Sequence, residues 1–242
     1  MDLTAIVLAG GKGTRVARLY PDIPKPMIPV AGQPFLYWVV EWLKSEKISD
    51  IVLSAGHLAP QIHAWAEQQS IGDVSLRCVV EVQPLGTGGA VRYGLEGCAP
   101  YILAVNGDSL QQADIPSAYS RMMRESLDGA IFATRVNDTS RYGSLVVDES
   151  GRLHGFFEKR SGQGLINTGL YLFRRELLEC FPIGVPLSME TDIIPELLRQ
   201  GAKIGVAVGE GEFLDIGTPE SVVLAEDFIR RLFPPAGRGQ HA

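Results

Sequence analysis

Apolar residues fall along this chain in short runs broken by glycine, proline and polar turns. Leu3 to Ala9 is one such run, rich in branched side chains and ending at Gly10-Gly11. It predicts a buried strand entering a glycine loop. Pro34 then opens a helix that sets Leu36, Val39, Val40 and Leu43 on one face. Further strands are predicted at Asp50 to Ser54, Ser75 to Val82 and Tyr101 to Val105, with helices at Leu58 to Gln68 and Thr87 to Leu95. Alternation of this kind predicts a largely parallel sheet covered on both faces.

The pattern changes in the second half. Ala130 to Val136, Gly143 to Val147, Arg152 to Glu158 and Gly169 to Phe173 read as strands, and Asp148-Glu149-Ser150-Gly151 reads as a hairpin loop. Helical periodicity returns at Met189 to Arg199 and Pro219 to Leu232, around a strand at Ile204 to Val208. No linker or repeat divides the chain. We expect one domain over residues 1–233, a nucleotide-type half (about 1–110) and a β-rich half (about 111–233) with a lid-like insertion, followed by a frayed tail at 234–242.

Composition narrows the functional classes. The chain has 242 residues, 45% hydrophobic and 21% charged, which is ordinary for a globular protein. Its net charge of −6 argues against a generally basic nucleic-acid binder. No apolar run approaches the ~18 residues of a membrane span. The N-terminus lacks the basic stretch of a signal peptide. Cys78, Cys98 and Cys180 form no CxxC pair, so reduced thiols in a cytoplasmic enzyme are expected. The 27 glycines are an excess over the roughly 7% average, and they predict tight turns or close backbone approach to a ligand.

The strongest local signal is Leu8-Ala9-Gly10-Gly11-Lys12-Gly13-Thr14-Arg15. Between residues 10 and 26, Lys12, Arg15, Arg18 and Lys25 stand against the single acid Asp22, a local charge of +3 in an acidic chain. That inversion, on a glycine loop whose N–H groups can turn inward, predicts a polyphosphate site. It is neither a Walker loop, because Gly13 follows Lys12, nor a dinucleotide fingerprint, because Val16 stands where a third glycine is needed. Pro24-Lys25-Pro26 restricts the backbone around one lysine. Asp108 ends a predicted strand, where parallel sheets place ligands, and Asp215 ends another. Taken alone, each aspartate also reads as a turn residue.

Gly10 to Arg15 followed by Pro24-Lys25-Pro26 resembles the signature of the sugar-1-phosphate nucleotidylyltransferases. The resemblance continues through Pro84-Leu85-Gly86-Thr87-Gly88-Gly89, Asn106-Gly107-Asp108, Tyr142-Gly143, Glu158-Lys159, Asn167-Thr168-Gly169 and Asp215-Ile216-Gly217-Thr218. It covers the chain to about residue 232 and leans towards the bacterial D-glycero-α-D-manno-heptose 1-phosphate guanylyltransferase branch. It implies a Rossmann-like three-layer α/β sandwich with a mixed, mostly parallel central sheet and a β-rich sugar-binding insertion, which makes the half at about 111–233 the sugar-binding one. The implied substrates are GTP, or another nucleoside triphosphate, and a sugar 1-phosphate of the heptose, mannose, glucose or N-acetylmuramate type. The implied cofactor is Mg2+. A homo-oligomer, a dimer, is expected.

The same resemblance assigns roles. Arg15, Lys25 and Asp108 would be catalytic, and Asp108 and Asp215 would share the metal. The nucleotide would meet Leu8, Ala9, Gly10, Gly11, Lys12, Gly13, Thr14, Arg15, Lys25, Gln83, Pro84, Gly86, Thr87, Gly88, Asn106 and Asp108. The sugar phosphate would meet Gly143, Glu158, Lys159, Asn167 and Thr168. On local grounds Thr87 also reads as an N-cap, Glu158 as a surface acid paired with Lys159, and Lys12 as a solvated side chain. Ser188-Met189-Glu190-Thr191 reads as a helix cap, or Glu190 reaches a long sugar. Gln83 stands where guanine-using relatives often carry glutamate. Its amide offers one acceptor and one donor, which suits uracil or thymine as well as guanine. Rivals to the enzyme reading are a nucleotide-sugar sensor without turnover and a metal-dependent glycosyltransferase. The second is weakened because Asp108-Ser109-Leu110 lacks a second acid.

Overall fold

The computed structural model describes residues 1–139, 144–157 and 162–234. Tyr142, Gly143, Glu158 and Lys159 lie outside the described residues, as does 235–242 of the expected tail. The chain runs β1 (Leu3–Ala9), a single 3-10 turn at Lys25–Met27, β2 (Pro29–Val30), β3 (Gln33–Pro34), α1 (Phe35–Ser45), β4 (Asp50–Ala55), α2 (Ala59–Gln68), β5 (Ser75–Val80), α3 (Gly86–Tyr93) and β6 (Tyr101–Asn106). It continues through β7 (Ser109–Gln111), α4 (Ile115–Arg124), β8 (Gly129–Val136), β9 (Ser144–Val147), β10 (Leu153–Phe157), β11 (Gly164–Arg174) and α5 (Arg175–Glu179). A π-helical turn at Met189–Ile193 leads into α6 (Ile194–Arg199), followed by β12 (Ile204–Gly209), β13 (Phe213–Asp215) and α7 (Pro219–Leu232).

Nine of these strands form one mixed sheet. Its main path is β10-β9-β11-β6-β1-β4-β5, and β8 lies between β11 and β12 off that path. The pairs β1–β4, β1–β6, β4–β5 and β8–β12 are parallel, whereas β11 is antiparallel to β6, β8 and β9. The continuous apolar run of β1 follows from burial on both faces. Ala5, Val7 and Ala9 pack with α1, α2 and α7, while Ile6 packs on the other side with residues of α3 and α6.

The main departures from the sequence reading have local causes. The helix α4 was not expected because Pro116 and several polar residues interrupt its apolar stripe. It is started by Asp114, whose side chain accepts from Ser117 N. The predicted helix from Met189 opens as a wide π turn before settling into α6. The helix predicted from Thr87 begins one residue earlier, and Leu85 takes the N-cap place without a side-chain bond. The Thr87 hydroxyl is engaged elsewhere, so the N-cap expectation is corrected. Two tryptophans pack into the core: Trp42 is buried and Trp38 Nε1 donates to Val30 O at 2.8 Å.

Candidate active site

The carboxyl ends of β1, β4, β5 and β6 open on one cavity of about 640 Å3, a size suited to a small ligand. Its walls are the loop residues Leu8, Gly10, Gly11 and Lys12, then Lys25 and Pro26, then Gly56 and His57 after β4. The segment from Glu81 to Thr87 with Ala90, and Asn106 and Asp108 after β6, complete it. Glycine at position 10 has a steric cause: a Cβ there would lie 2.6 Å from Glu81 Oε1.

Lys25 is held at the start of its 3-10 turn by the flanking prolines, and Met27 N donates to Pro24 O at 2.7 Å. Gly13 packs on it with φ +55°, where a Cβ would meet Lys25 Cβ at 2.9 Å. The ammonium lies 2.5 Å from Asp108 Oδ2 and 3.5 Å from Asp215 Oδ1. The two aspartates, 107 residues apart in sequence, are brought together by the small β7–β13 ladder. That ladder pairs Asp215 with Ser109, and Ile216 N donates to Asp108 O at 3.0 Å. Asp215 Oδ1 is buried and accepts no hydrogen bond among the described residues. Two hard carboxylates, one oxygen of which has no donor, fit a small divalent cation that completes its shell with water and phosphate. No cluster of three or more ligating side chains occurs among the described residues.

The opposite wall is held by backbone. Gly86, Gly88 and Gly89 are glycines because a Cβ at each would strike Leu187 O, Ile193 or Val185 O. Gly88 N and Gly89 N both donate to Leu187 O. The small residues here make room for the 185–193 segment. Gln83 Nε2 donates to Gly184 O at 3.2 Å. Its amide oxygen and its second N–H are left for a ligand.

Eleven of the expected nucleotide residues line the cavity: Leu8, Gly10, Gly11, Lys12, Lys25, Gln83, Pro84, Gly86, Thr87, Asn106 and Asp108. Ala9 and Gly88 are buried, Gly13 supports Lys25, and Thr14 and Arg15 are exposed outside the lining. Thr168 is 3% exposed and its hydroxyl donates to Phe132 O at 3.0 Å, tying β11 to β8. The sequence reading missed Glu81. Its Oε2 accepts from Leu85 N at 3.0 Å and its Oε1 from Ser54 Oγ at 3.2 Å, beneath Gly10. Its position at a strand end, two residues before Gln83, was the available signal. It also missed the partners of the half-buried Glu190, which accepts from Ser188 Oγ at 2.9 Å, from Thr87 Oγ1 at 3.2 Å and from the Tyr171 hydroxyl.

Parallel strand ends that carry a cationic glycine loop define the α/β nucleotide-binding class. Within it the chain belongs to the nucleotidyl transferase family, whose model matches residues 4–231. A D-glycero-alpha-D-manno-heptose 1-phosphate guanylyltransferase of Campylobacter jejuni is 32% identical over 219 residues, spanning 90% of this chain and 96% of that one. A mannose-1-phosphate guanylyltransferase of Mycobacterium tuberculosis is 33% identical over 248 residues, spanning 98% and 68%. The crystal structure of HddC from Yersinia pseudotuberculosis complexed with GMP-PN superposes with a TM-score of 0.80 at 32% identity, covering 93% and 98% of the two chains. Among the described residues no helix is long and apolar enough to cross a membrane.

Proposed function

We propose that this nucleotidyl transferase joins D-glycero-α-D-manno-heptose 1-phosphate to GTP, forming GDP-heptose and pyrophosphate in the cytoplasm. The observation that carries the reading is Lys25 shared between Asp108 and Asp215 at the edge of a nucleotide-sized cavity. Heptose and guanine are supported by the name of the Campylobacter relative, and guanine also by the GMP-PN bound to the Yersinia protein. Gln83 keeps an amide oxygen that can accept from guanine N1–H or N2–H, and a second N–H that suits other bases equally.

The attacking group is a phosphate oxygen of the sugar phosphate. With a second pKa of about 6 it is already ionised at neutral pH, so no general base is required. It bonds to the α-phosphorus of GTP while the bond to the β-phosphate oxygen breaks, and pyrophosphate leaves with the negative charge. The barrier is repulsion between anions, so catalysis is alignment and charge neutralisation. Lys25 holds the α-phosphate near the attacking oxygen. Main-chain groups of Gly11 and Gly13 cradle the β- and γ-phosphates, and Arg15 closes on them from the exposed turn after β1. Asp108 and Asp215 hold Mg2+, which supplies positive charge to the nucleotide phosphates. On the sugar side Asn167 offers hydrogen bonds, and the resemblance assigns Gly143, Glu158 and Lys159 to the same substrate.

A panel of four nucleoside triphosphates against heptose, mannose and glucose 1-phosphates, read as pyrophosphate release, tests this. GTP with the heptose phosphate is expected to give the highest kcat/KM. Mannose 1-phosphate is the second reading, favoured by the relative that spans 98% of this chain. Release with no sugar phosphate present, or none with any pair, would remove the assignment.

A further inference from the structure

Asn167, Tyr171, Glu190 and Thr87 form a directed chain of hydrogen bonds across the two halves of the protein. An ionised carboxylate only accepts, so the Tyr171 hydroxyl spends its one proton on Glu190 Oε1. The phenolic oxygen is then an acceptor, and Asn167 Nδ2 donates to it at 2.5 Å. Asn167 Oδ1 in turn accepts from Gly169 N at 3.0 Å. Both ends of the amide are fixed, with one N–H left over. Glu190 is anchored from the cavity wall by Thr87, whose Oγ1 donates to it at 3.2 Å and accepts from Met189 N at 2.8 Å.

Two further features set this chain apart from ordinary core packing. Glu190 sits on a π turn, a wide geometry that recurs at functional sites. Asn167 opens a register shift in β11 that brings Gly169, at φ +79°, against the Asn106 side chain on the cavity wall. Tyr171 is fully buried, and burial reinforced by Glu190 pushes its phenol well above the ordinary value, so it stays a donor.

We propose that Glu190 is a positioning residue: acting through Tyr171, it fixes Asn167 with its amide donor available to an oxygen of the sugar phosphate. The proposal rests on the function assigned above, which places that substrate beside Asn167. A phosphate or hydroxyl oxygen needs a donor, and a flipped Asn167 would present a carbonyl instead.

The test is steady-state pyrophosphate release by Tyr171→Phe, Glu190→Gln, Asn167→Ala and the Asn167→Ala/Tyr171→Phe pair, combined with NMR of the Asn167 side-chain amide without substrates. Tyr171→Phe is expected to raise KM for the sugar phosphate roughly tenfold, while KM for GTP stays within about twofold. The double variant is expected to be no worse than Asn167→Ala alone. Glu190→Gln, which keeps an acceptor oxygen, should fall between wild type and Tyr171→Phe, and it carries the same test if Tyr171→Phe fails to fold. Exchange of the Asn167 amide proton accepted by Tyr171 should be slow in the wild type and fast in Tyr171→Phe. Equal rises in both KM values, additive losses in the double variant, or unchanged amide exchange would each overturn the proposal. A wild type without turnover would remove the assigned function instead, and amide exchange would then decide the orientation alone.

Discussion

Two carboxylate clusters flank the cleft, and they are built in opposite ways. Asp108 and Asp215 share a single cation, Lys25, and Asp215 Oδ1 has no hydrogen-bond donor among the described residues. Glu190 has three hydroxyl donors and no cation among those residues. The first cluster carries a deficit of positive charge beside a loop suited to polyphosphate. The second is saturated and holds geometry. A charge deficit marks where a ligand's charge is needed, because unpaired anions in a partly buried site repel strongly. Saturation marks where the protein has fixed the orientation of its own groups.

Substitutions sharpen this contrast. In the charge-poor cluster, Asp108→Ala should lower turnover by roughly 10³-fold with little change in the melting curve, seen by pyrophosphate release beside circular dichroism. Lys25→Gln should lower kcat by about 10²-fold and leave the two aspartates without their counter-ion. In the saturated cluster the first effect is on folding. Ser188→Ala removes the cap that accepts from Glu190 N and Thr191 N, and it should cost about 1 kcal/mol in denaturant unfolding. Asp148 lies outside both clusters and serves as the control. The Arg152 N–H and then Ser150 hold its carboxyl at about 2, below the usual 3.8. A depressed carboxylate contributes stability that is present above pH 3.8 and lost as pH falls through about 2. Asp148→Asn should therefore flatten the acid limb of the melting profile slightly and leave turnover unchanged.

The charge-poor cluster was far easier to read from the sequence. Its loop, its lysine between prolines and its strand-end aspartates are local signals, each set by a backbone requirement that glycine or proline satisfies. Two elements were legible from apolar pattern: β1 and α7 occupy the residues expected, because a doubly buried run and an amphipathic stripe leave few alternatives. The second cluster was not legible. Tyr171 and Glu190 are 19 residues apart, Thr87 is 103 residues from Glu190, and nothing in the apolar pattern links them. The burial of the Thr168 hydroxyl was not visible, because a strand residue faces core or cleft according to register and the register shifts after Asn167. Thr87 was misread as a cap because the competing acceptor, Glu190, comes from a distant segment.

The most direct measurement is the magnesium dependence of pyrophosphate release by wild type, Asp108→Asn and Asp215→Asn at saturating GTP and sugar phosphate. If the two aspartates share a divalent ion, both variants should need at least about tenfold more magnesium for half-maximal rate. Identical magnesium curves for all three proteins would contradict the account.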